Sequence, residues 1–179
     1  AETNGNGSLM RTAPIAILEA GRFASESELA AKAQAVSSVT HAHELSRVSC
    51  SLFTLALTWV IEGQEFDEAV AMARDAHDGW GFLERLDRVQ VNGSGFVLST
   101  LRAALEIASH AEDFEDAVQT AIDLGHDTDT TAAVAGALAG AKFGFTGIHP
   151  RTLKGLKGKP LADLIFAQLW EARSVEPVE

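Results

Sequence analysis

Residues 124–131 read Leu-Gly-His-Asp-Thr-Asp-Thr-Thr, placing two carboxylates and three hydroxyls side by side with no Lys or Arg among them. Clustered carboxylates repel one another unless a cation or buried donors face them. On an ideal helix, residues two apart point about 200° away from each other, so Asp127 and Asp129 diverge mid-helix. At a loop-to-helix junction they can converge, and the Thr130 hydroxyl can join them. Such oxygen donors are hard ligands, suited to Mg²⁺, Mn²⁺ or Ca²⁺. An EF-hand is excluded: counting from Asp127, its required Gly falls on Ala132 and its closing Glu on Leu138. The competing local reading is an ordinary helix N-cap, a position that favours Asp and Thr.

A second candidate is Asn4-Gly5-Asn6-Gly7-Ser8, followed by Leu9, Met10, Arg11 and, shortly after, Pro14. The glycines permit close backbone approach, and a helix is expected from near Ser8, with Pro14 early enough to be tolerated. Loop amides and a helix N-terminus together make an anion cradle, to which Arg11 could add a charge-assisted contact with a phosphate or carboxylate. The plain alternative is a turn with Arg11 salt-bridged. His41 and His43 sit at the polar entrance of the next apolar segment. Two residues apart on a helix, they would not chelate one metal; a single His41 can still touch a ligand.

These groups need a scaffold, and the hydrophobic spacing is helical throughout. Ser25-x-x-Glu28 is a capping box opening a helix through about Val39. From Thr40-His41-Ala42-His43, a helix carries Leu45, Val48, Leu52, Leu55 and Trp59 on one side and Phe53, Leu57 and Val60 on the other, and Gly63 ends it. Apolar nearly all round, it is expected to be central and to need more cover than the remaining helices supply. Further helices are expected from Phe66 to His77 (closed by Gly79), after the Asn92-Gly93-Ser94-Gly95 loop (Leu98, Leu101, Leu105, Ala108), and from an Asp113 cap to Leu124-Gly125. Residues 80–91 are the least regular.

From about Thr130 a helix of small residues follows, in which Gly136 and Gly140 allow another element close. Lys154, Lys157 and Lys159 read as a solvated loop, and Pro160 opens a last amphipathic helix with Leu161, Leu164, Ile165, Leu169 and Trp170 on its apolar side. No alternating strand pattern, repeat or linker is present, so residues 1–179 are expected to form one compact all-α domain.

Composition narrows the function. With 46% hydrophobic residues and 4 prolines, the chain is neither disordered nor collagen-like. A formal net charge of −11 argues against general nucleic-acid or anionic-membrane binding. No run of apolar residues reads as a membrane span and no signal peptide is evident. The single Cys50 allows no internal disulfide, lies in an apolar run, and fits a cytoplasmic setting.

Four stretches occur in one order: Asn4-Gly5-Asn6-Gly7-Ser8-Leu9-Met10-Arg11 with Pro14, Thr40-His41-Ala42-His43, Gly93-Ser94-Gly95-Phe96-Val97-Leu98, and Leu124 to Gly144 with its Asp-Thr-Asp-Thr core. Their combination resembles the ADP-ribosylglycohydrolase family, which includes the dinitrogenase reductase-activating glycohydrolases, over nearly the whole chain to about Lys159. The resemblance implies an all-helical fold and a two-metal centre, Mg²⁺ or Mn²⁺. It implies hydrolysis of the glycosidic bond joining ADP-ribose to a protein side chain or small molecule. By position Asp127, Asp129 and Thr130 match metal ligands, and Gly5, Asn6, Gly7, Ser8 and Arg11 match the loop that holds ADP-ribose. His41 matches a substrate-contacting histidine. Phe96 stands where many members carry a tyrosine near the scissile bond, and His126 replaces the commoner glycine.

One family motif, a Thr-Asp-Asp-Thr upstream of the glycine loop, is not in these residues, nor is an acidic residue that serves some members in catalysis. The resemblance is therefore to the C-terminal portion of a longer domain. The expected partner is an upstream segment supplying the other metal motif, without which this portion should bind metal poorly. The resemblance does not select among arginine, serine, nucleobase or O-acetyl-ADP-ribose linkages. It also leaves open a non-catalytic member that keeps the fold, as certain lens crystallins resembling this family do.

Overall fold

The computed structural model describes residues 4–77 and 81–174. It is all-helical: ten α-helices and two short 3-10 turns, with no β-strand among the described residues beyond an isolated bridge between Gly5 and Phe96. In chain order the helices are α1 Ala13–Glu19, α2 Glu26–Ser38, α3 Glu44–Ile61, α4 Phe66–Asp75, α5 Phe82–Arg88, α6 Val97–His110, α7 Phe114–Asp123, α8 Thr128–Phe143, α9 Pro150–Gly155 and α10 Lys159–Ser174.

Helix α3 is the axis. Leu52, Phe53 and Cys50 are fully enclosed, and Leu55, Leu57 and Trp59 are nearly so. Helices α1, α2, α4, α6 and α8 pack around it. The expectation that this helix lacks cover is overturned: its own neighbours bury it on every side except the ends. By length and composition α3 also qualifies as a membrane span, which the sequence reading had not found, yet 78% of it lies inside the fold. Its serines and threonines, Ser46, Ser49, Ser51, Thr54 and Thr58, face the protein interior rather than lipid.

Local signals set several boundaries. The Ser25 hydroxyl accepts from the Glu28 amide, and the Glu28 carboxylate accepts from the Ala24 amide, so the capping box forms with its return bond one residue early. His43 caps α3, its Nδ1 accepting from the Leu45 amide. Asp113 caps α7, its Oδ1 accepting from the Asp116 amide at 2.7 Å. The first segment departs from expectation: Leu9–Arg11 is a 3-10 turn, and a separate helix begins after Thr12, whose hydroxyl donates to the Leu9 carbonyl. Helix α4 stops at Asp75, and the Gly79 expected to close it lies outside the described residues.

Two short helices, α5 and α9, occupy stretches read as irregular. Each is too brief to show a period, and α5 is opened by Gly81 in the left-handed region (φ 65°).

Helices α6, α7 and α8 form the platform of the site. Val118 and Phe114 of α7 lie in ordinary contact with the space a side chain would fill at Gly136 and Gly140. Larger residues there would push α7 off α8. Lys142, in the last turn of α8, donates to the carbonyls of Ala108 and Ser109 at the end of α6, satisfying groups that a helix C-terminus leaves open. The apolar side expected for α10 exists but is not packed. Leu161, Leu164, Ile165, Phe166 and Trp170 are exposed, and the helix is tied to α1 through Arg173, which donates to the carbonyls of Ile17 and Ala20.

Candidate functional site

Three loops far apart in sequence meet at the start of α8. The glycine loop at 4–8 is bonded to the 93–97 loop through Asn6 N to Gly95 O (3.0 Å) and Val97 N to Asn4 O (2.9 Å). The 93–97 loop is bonded to the acidic turn through Asp127 N to Gly93 O, 2.9 Å. The approach at Gly93 admits no side chain: φ is +67°, and a Cβ would lie 2.4 Å from the Gly125 carbonyl oxygen. At Gly95 a Cβ would lie 3.2 Å from Asp127 Oδ2.

The Asn6 side chain joins the glycine loop to α6 and to the acidic turn. It is nearly buried, and its amide donates both protons, one to Thr100 Oγ1 (2.8 Å) and one to Asp127 Oδ2 (2.7 Å). Burial raises the Asp127 pKa, but the hydrogen bond from Asn6, the nearby Thr130 hydroxyl and amide, and Asp129 outweigh it. The carboxyl is held below its ordinary value and is ionised at neutral pH. Asp127 occupies the N-cap position of α8 without forming a well-made side-chain cap, and its carboxylate is turned toward Asn6 instead. The local capping reading of this residue therefore describes its backbone and not its carboxylate.

Helix α8 starts at Thr128, two residues earlier than expected, which puts Asp129 in its first turn. Asp129 is exposed and Thr130 is nearly buried. The turn is bent by two successive left-handed residues, Gly125 (φ 76°) and His126 (φ 58°). His126 is the only non-glycine residue with positive φ among the described residues, and its side chain is exposed. A glycine would fit the same backbone without strain.

The structure brings Gly5, Asn6, Gly7, His41, Phe96, Asp127, Asp129 and Thr130 into one region, with two of the expected residues turned elsewhere. Ser8 is fully enclosed: its hydroxyl lies 3.3 Å from Cys50 Sγ and 3.0 Å from the Ser37 hydroxyl, so it supports the loop from beneath rather than facing a ligand. Arg11 Nη2 donates to the Val36 carbonyl and to Thr40 Oγ1, at the exit of α2. Cys50 is buried beneath the loop, and burial pushes its thiol up, which suits a structural and not a nucleophilic role. Phe96 forms one wall of a cavity of about 640 Å³ that also touches Arg85, Arg88, Asn92 and Ser94.

Thr100 and Thr40 were not legible as site residues. Thr100 sits inside an ordinary α6 pattern, and nothing local marks it as the second acceptor for Asn6.

A family model described as ADP-ribosylglycohydrolase matches residues 1–177. The chain belongs to the ADP-ribosylglycohydrolase family. It is 36% identical over 156 residues to the ADP-ribosylarginine hydrolase Tri1 of Pseudomonas putida, an alignment spanning 83% of this chain and 41% of the relative. It is 28% identical over 162 residues to the ADP-ribosyl-[dinitrogen reductase] glycohydrolase of Rhodospirillum rubrum, covering 87% and 51% of the two chains. A solved structure described as an ADP-ribosylglycohydrolase-related protein complex superposes with a TM-score of 0.82 at 28% identity, over 97% of this chain and 62% of that one. The chain thus spans about two fifths to one half of the length of the curated relatives it matches.

For this family member the donor set can be tested against a divalent ion. Two carboxylates and a hydroxyl at the head of α8 are hard donors of the kind Mg²⁺ accepts, and Mg²⁺ is held by few protein ligands with water completing the shell. Among the described residues no three His, Cys, Asp or Glu side chains converge. The residues present fit one side of a metal centre.

Proposed function

We propose that this chain is the α8-bearing portion of a metal-dependent hydrolase that cleaves the glycosidic bond between ADP-ribose and a protein side chain or small molecule. The observation that carries the reading is the Asn6–Asp127 bond, 121 residues apart in sequence. It couples the glycine loop directly to the acidic turn, so a ligand seated on the loop lies beside the Asp127 carboxylate. The named activity of the Tri1 relative, on ADP-ribosylarginine, supports ADP-ribosylated arginine as the substrate class, and that of the second, on ADP-ribosyl-dinitrogen reductase, supports an ADP-ribosylated protein.

In this reading Asp127, Asp129 and Thr130 hold Mg²⁺ or Mn²⁺, and a segment bearing Thr-Asp-Asp-Thr supplies the remaining ligands of a binuclear centre. When bound, such ions orient ribose hydroxyls and lower the pKa of a coordinated water. The chain's own residues do the rest. Gly5 and Gly7 leave room for the His41 ring over the loop, and the loop backbone and that ring together face the diphosphate. Asn6 aims the Asp127 carboxylate and helps to hold its pKa below the ordinary value against burial. Phe96 presents an apolar ring without a hydroxyl near the reacting end, so no hydrogen bond comes from this position.

The test uses the full-length protein with an ADP-ribosylated arginine peptide. Release of ADP-ribose should require Mg²⁺ or Mn²⁺, and Asp127→Ala or Asp129→Ala should lower it by more than about 100-fold with helicity retained. Unchanged calorimetric Mg²⁺ binding in both variants would remove the metal assignment. No release by the wild-type protein, with ADP-ribose still bound, would favour a non-catalytic member of the fold, a reading that the missing hydroxyl at Phe96 supports.

A further inference from the structure

His41 lies in the turn between α2 and α3, and both its backbone and its ring are held. Its amide donates to the Ser37 carbonyl at 2.7 Å, and its carbonyl accepts from the Ser37 hydroxyl at 3.1 Å. The ring lies over the glycine loop: a Cβ would stand 3.4 Å from Nε2 at Gly5 and 3.3 Å from Nε2 at Gly7. The opposite ring nitrogen, Nδ1, is 2.6 Å from Thr40 Oγ1. That oxygen accepts from Arg11 Nη2 at 2.5 Å.

The direction of the Arg11 bond follows from donor chemistry, and that of the Thr40–His41 bond depends on the tautomer of the ring. A guanidinium has protons and no lone pair to offer, so the Thr40 oxygen must accept from Arg11. Accepting from a cation draws density from that oxygen and makes its own O–H a stronger donor. Its nearest acceptor is His41 Nδ1. An imidazole accepting at Nδ1 carries its proton at Nε2, the nitrogen facing Gly5 and Gly7.

We propose that Arg11 and Thr40 are positioning residues that hold His41 in its Nε2–H tautomer, presenting a hydrogen-bond donor over Gly5 and Gly7 to an oxygen of a ligand seated on that loop. The identity of that ligand as ADP-ribose rests on the function proposed above; the tautomer does not. Arg11 acts on the ligand through Thr40 and His41, without a contact of its own. The arrangement also accounts for the glycines at positions 5 and 7, since side chains there would take the space the imidazole uses.

Nitrogen-15 NMR of the ligand-free full-length protein tests the tautomer, with His41 signals assigned by their loss in His41→Gln. Wild type and Thr40→Ser should show a protonated Nε2 and a bare Nδ1. Thr40→Val and Arg11→Ala should shift the ring toward a mixture, with circular dichroism unchanged. Calorimetric ADP-ribose affinity should fall by about 3- to 10-fold in Thr40→Val, roughly 0.7–1.4 kcal/mol, and be restored in Thr40→Ser. A proton on Nδ1 in the wild type, or a tautomer indifferent to Thr40→Val, overturns the positioning role even where ADP-ribose binds. The expected tautomer pattern in a protein that does not bind ADP-ribose would support the positioning while removing the ligand reading.

Discussion

Helices α7 and α8 follow one another, and each is headed by an aspartate, yet the two carboxylates do different work. Asp113 adopts an extended backbone (φ −151°, ψ 179°), and its Oδ1 accepts from the Asp116 amide three residues on. Asp127 sits at φ −90°, ψ 63°, after two left-handed residues, and its Oδ2 accepts from Asn6 across the molecule. The first is a local cap that satisfies its own helix; the second lies near the Thr130 amide without a well-made cap bond and faces a long-range donor. Residue type and position in the helix are the same, so the backbone entering the helix decides the role. That entry is set by the contact of Gly93 with the Gly125 carbonyl.

The comparison can be broken at the contact that creates it. Gly93→Ala would place a methyl where 2.4 Å separates it from a carbonyl oxygen, at a φ an L-residue rarely adopts. We expect a loss of about 3 kcal/mol or more in urea unfolding, with the start of α8 displaced. A cost near that of an ordinary surface substitution would mean that the acidic turn is not held by this approach.

A smaller effect sharpens the contrast. Asp113→Ala should cost about 1 kcal/mol of stability, seen as a modest fall in melting temperature, and leave divalent-ion binding unchanged. Asp127→Ala should do the reverse, losing the ion while its helix, which lacks a well-made cap from that carboxylate, persists. Equal stability losses with equal ion binding in the two variants would make both residues caps.

The smallest effect comes from His77, remote from both aspartates. Its Nδ1 faces the Ala73 carbonyl, and its Nε2 lies 2.7 Å from Ser51 Oγ. Burial is the largest influence and lowers its pKa below the ordinary histidine value, partly offset by the hydrogen bond to the Ala73 carbonyl. A lowered histidine pKa means the unfolded chain binds more protons, so stability falls as pH drops through the unfolded value. Between about pH 7 and pH 5, wild type should therefore lose more stability than His77→Gln. Parallel pH profiles would show that His77 is not held neutral.

Much of the scaffold was legible because its causes are local. A capping box, an N-cap and a run of apolar residues at helical spacing act within three or four positions, and α2, α3, α6, α7 and α8 were read from them. The motif stretches also marked the family and drew Asn6, His41 and Asp127 together as candidates. Residues whose partners are distant were not legible. Arg11 was read as a phosphate clamp from its place after a glycine loop, yet its Nη2 is bonded to Val36 and Thr40. The start of α10 was read from Pro160, but whether its apolar side is covered depends on what packs there, and in this structure it is exposed.

The sequence by itself determined the helical class, the short-range caps and which loops are candidates for chemistry, since each depends on residues a turn apart. Only the tertiary structure decided which aspartate caps a helix and which is aimed at the site, which hydroxyl supports the loop from below, and which way the His41 ring faces. Those outcomes depend on contacts between groups 29 to 121 residues apart, whose distances no local pattern encodes.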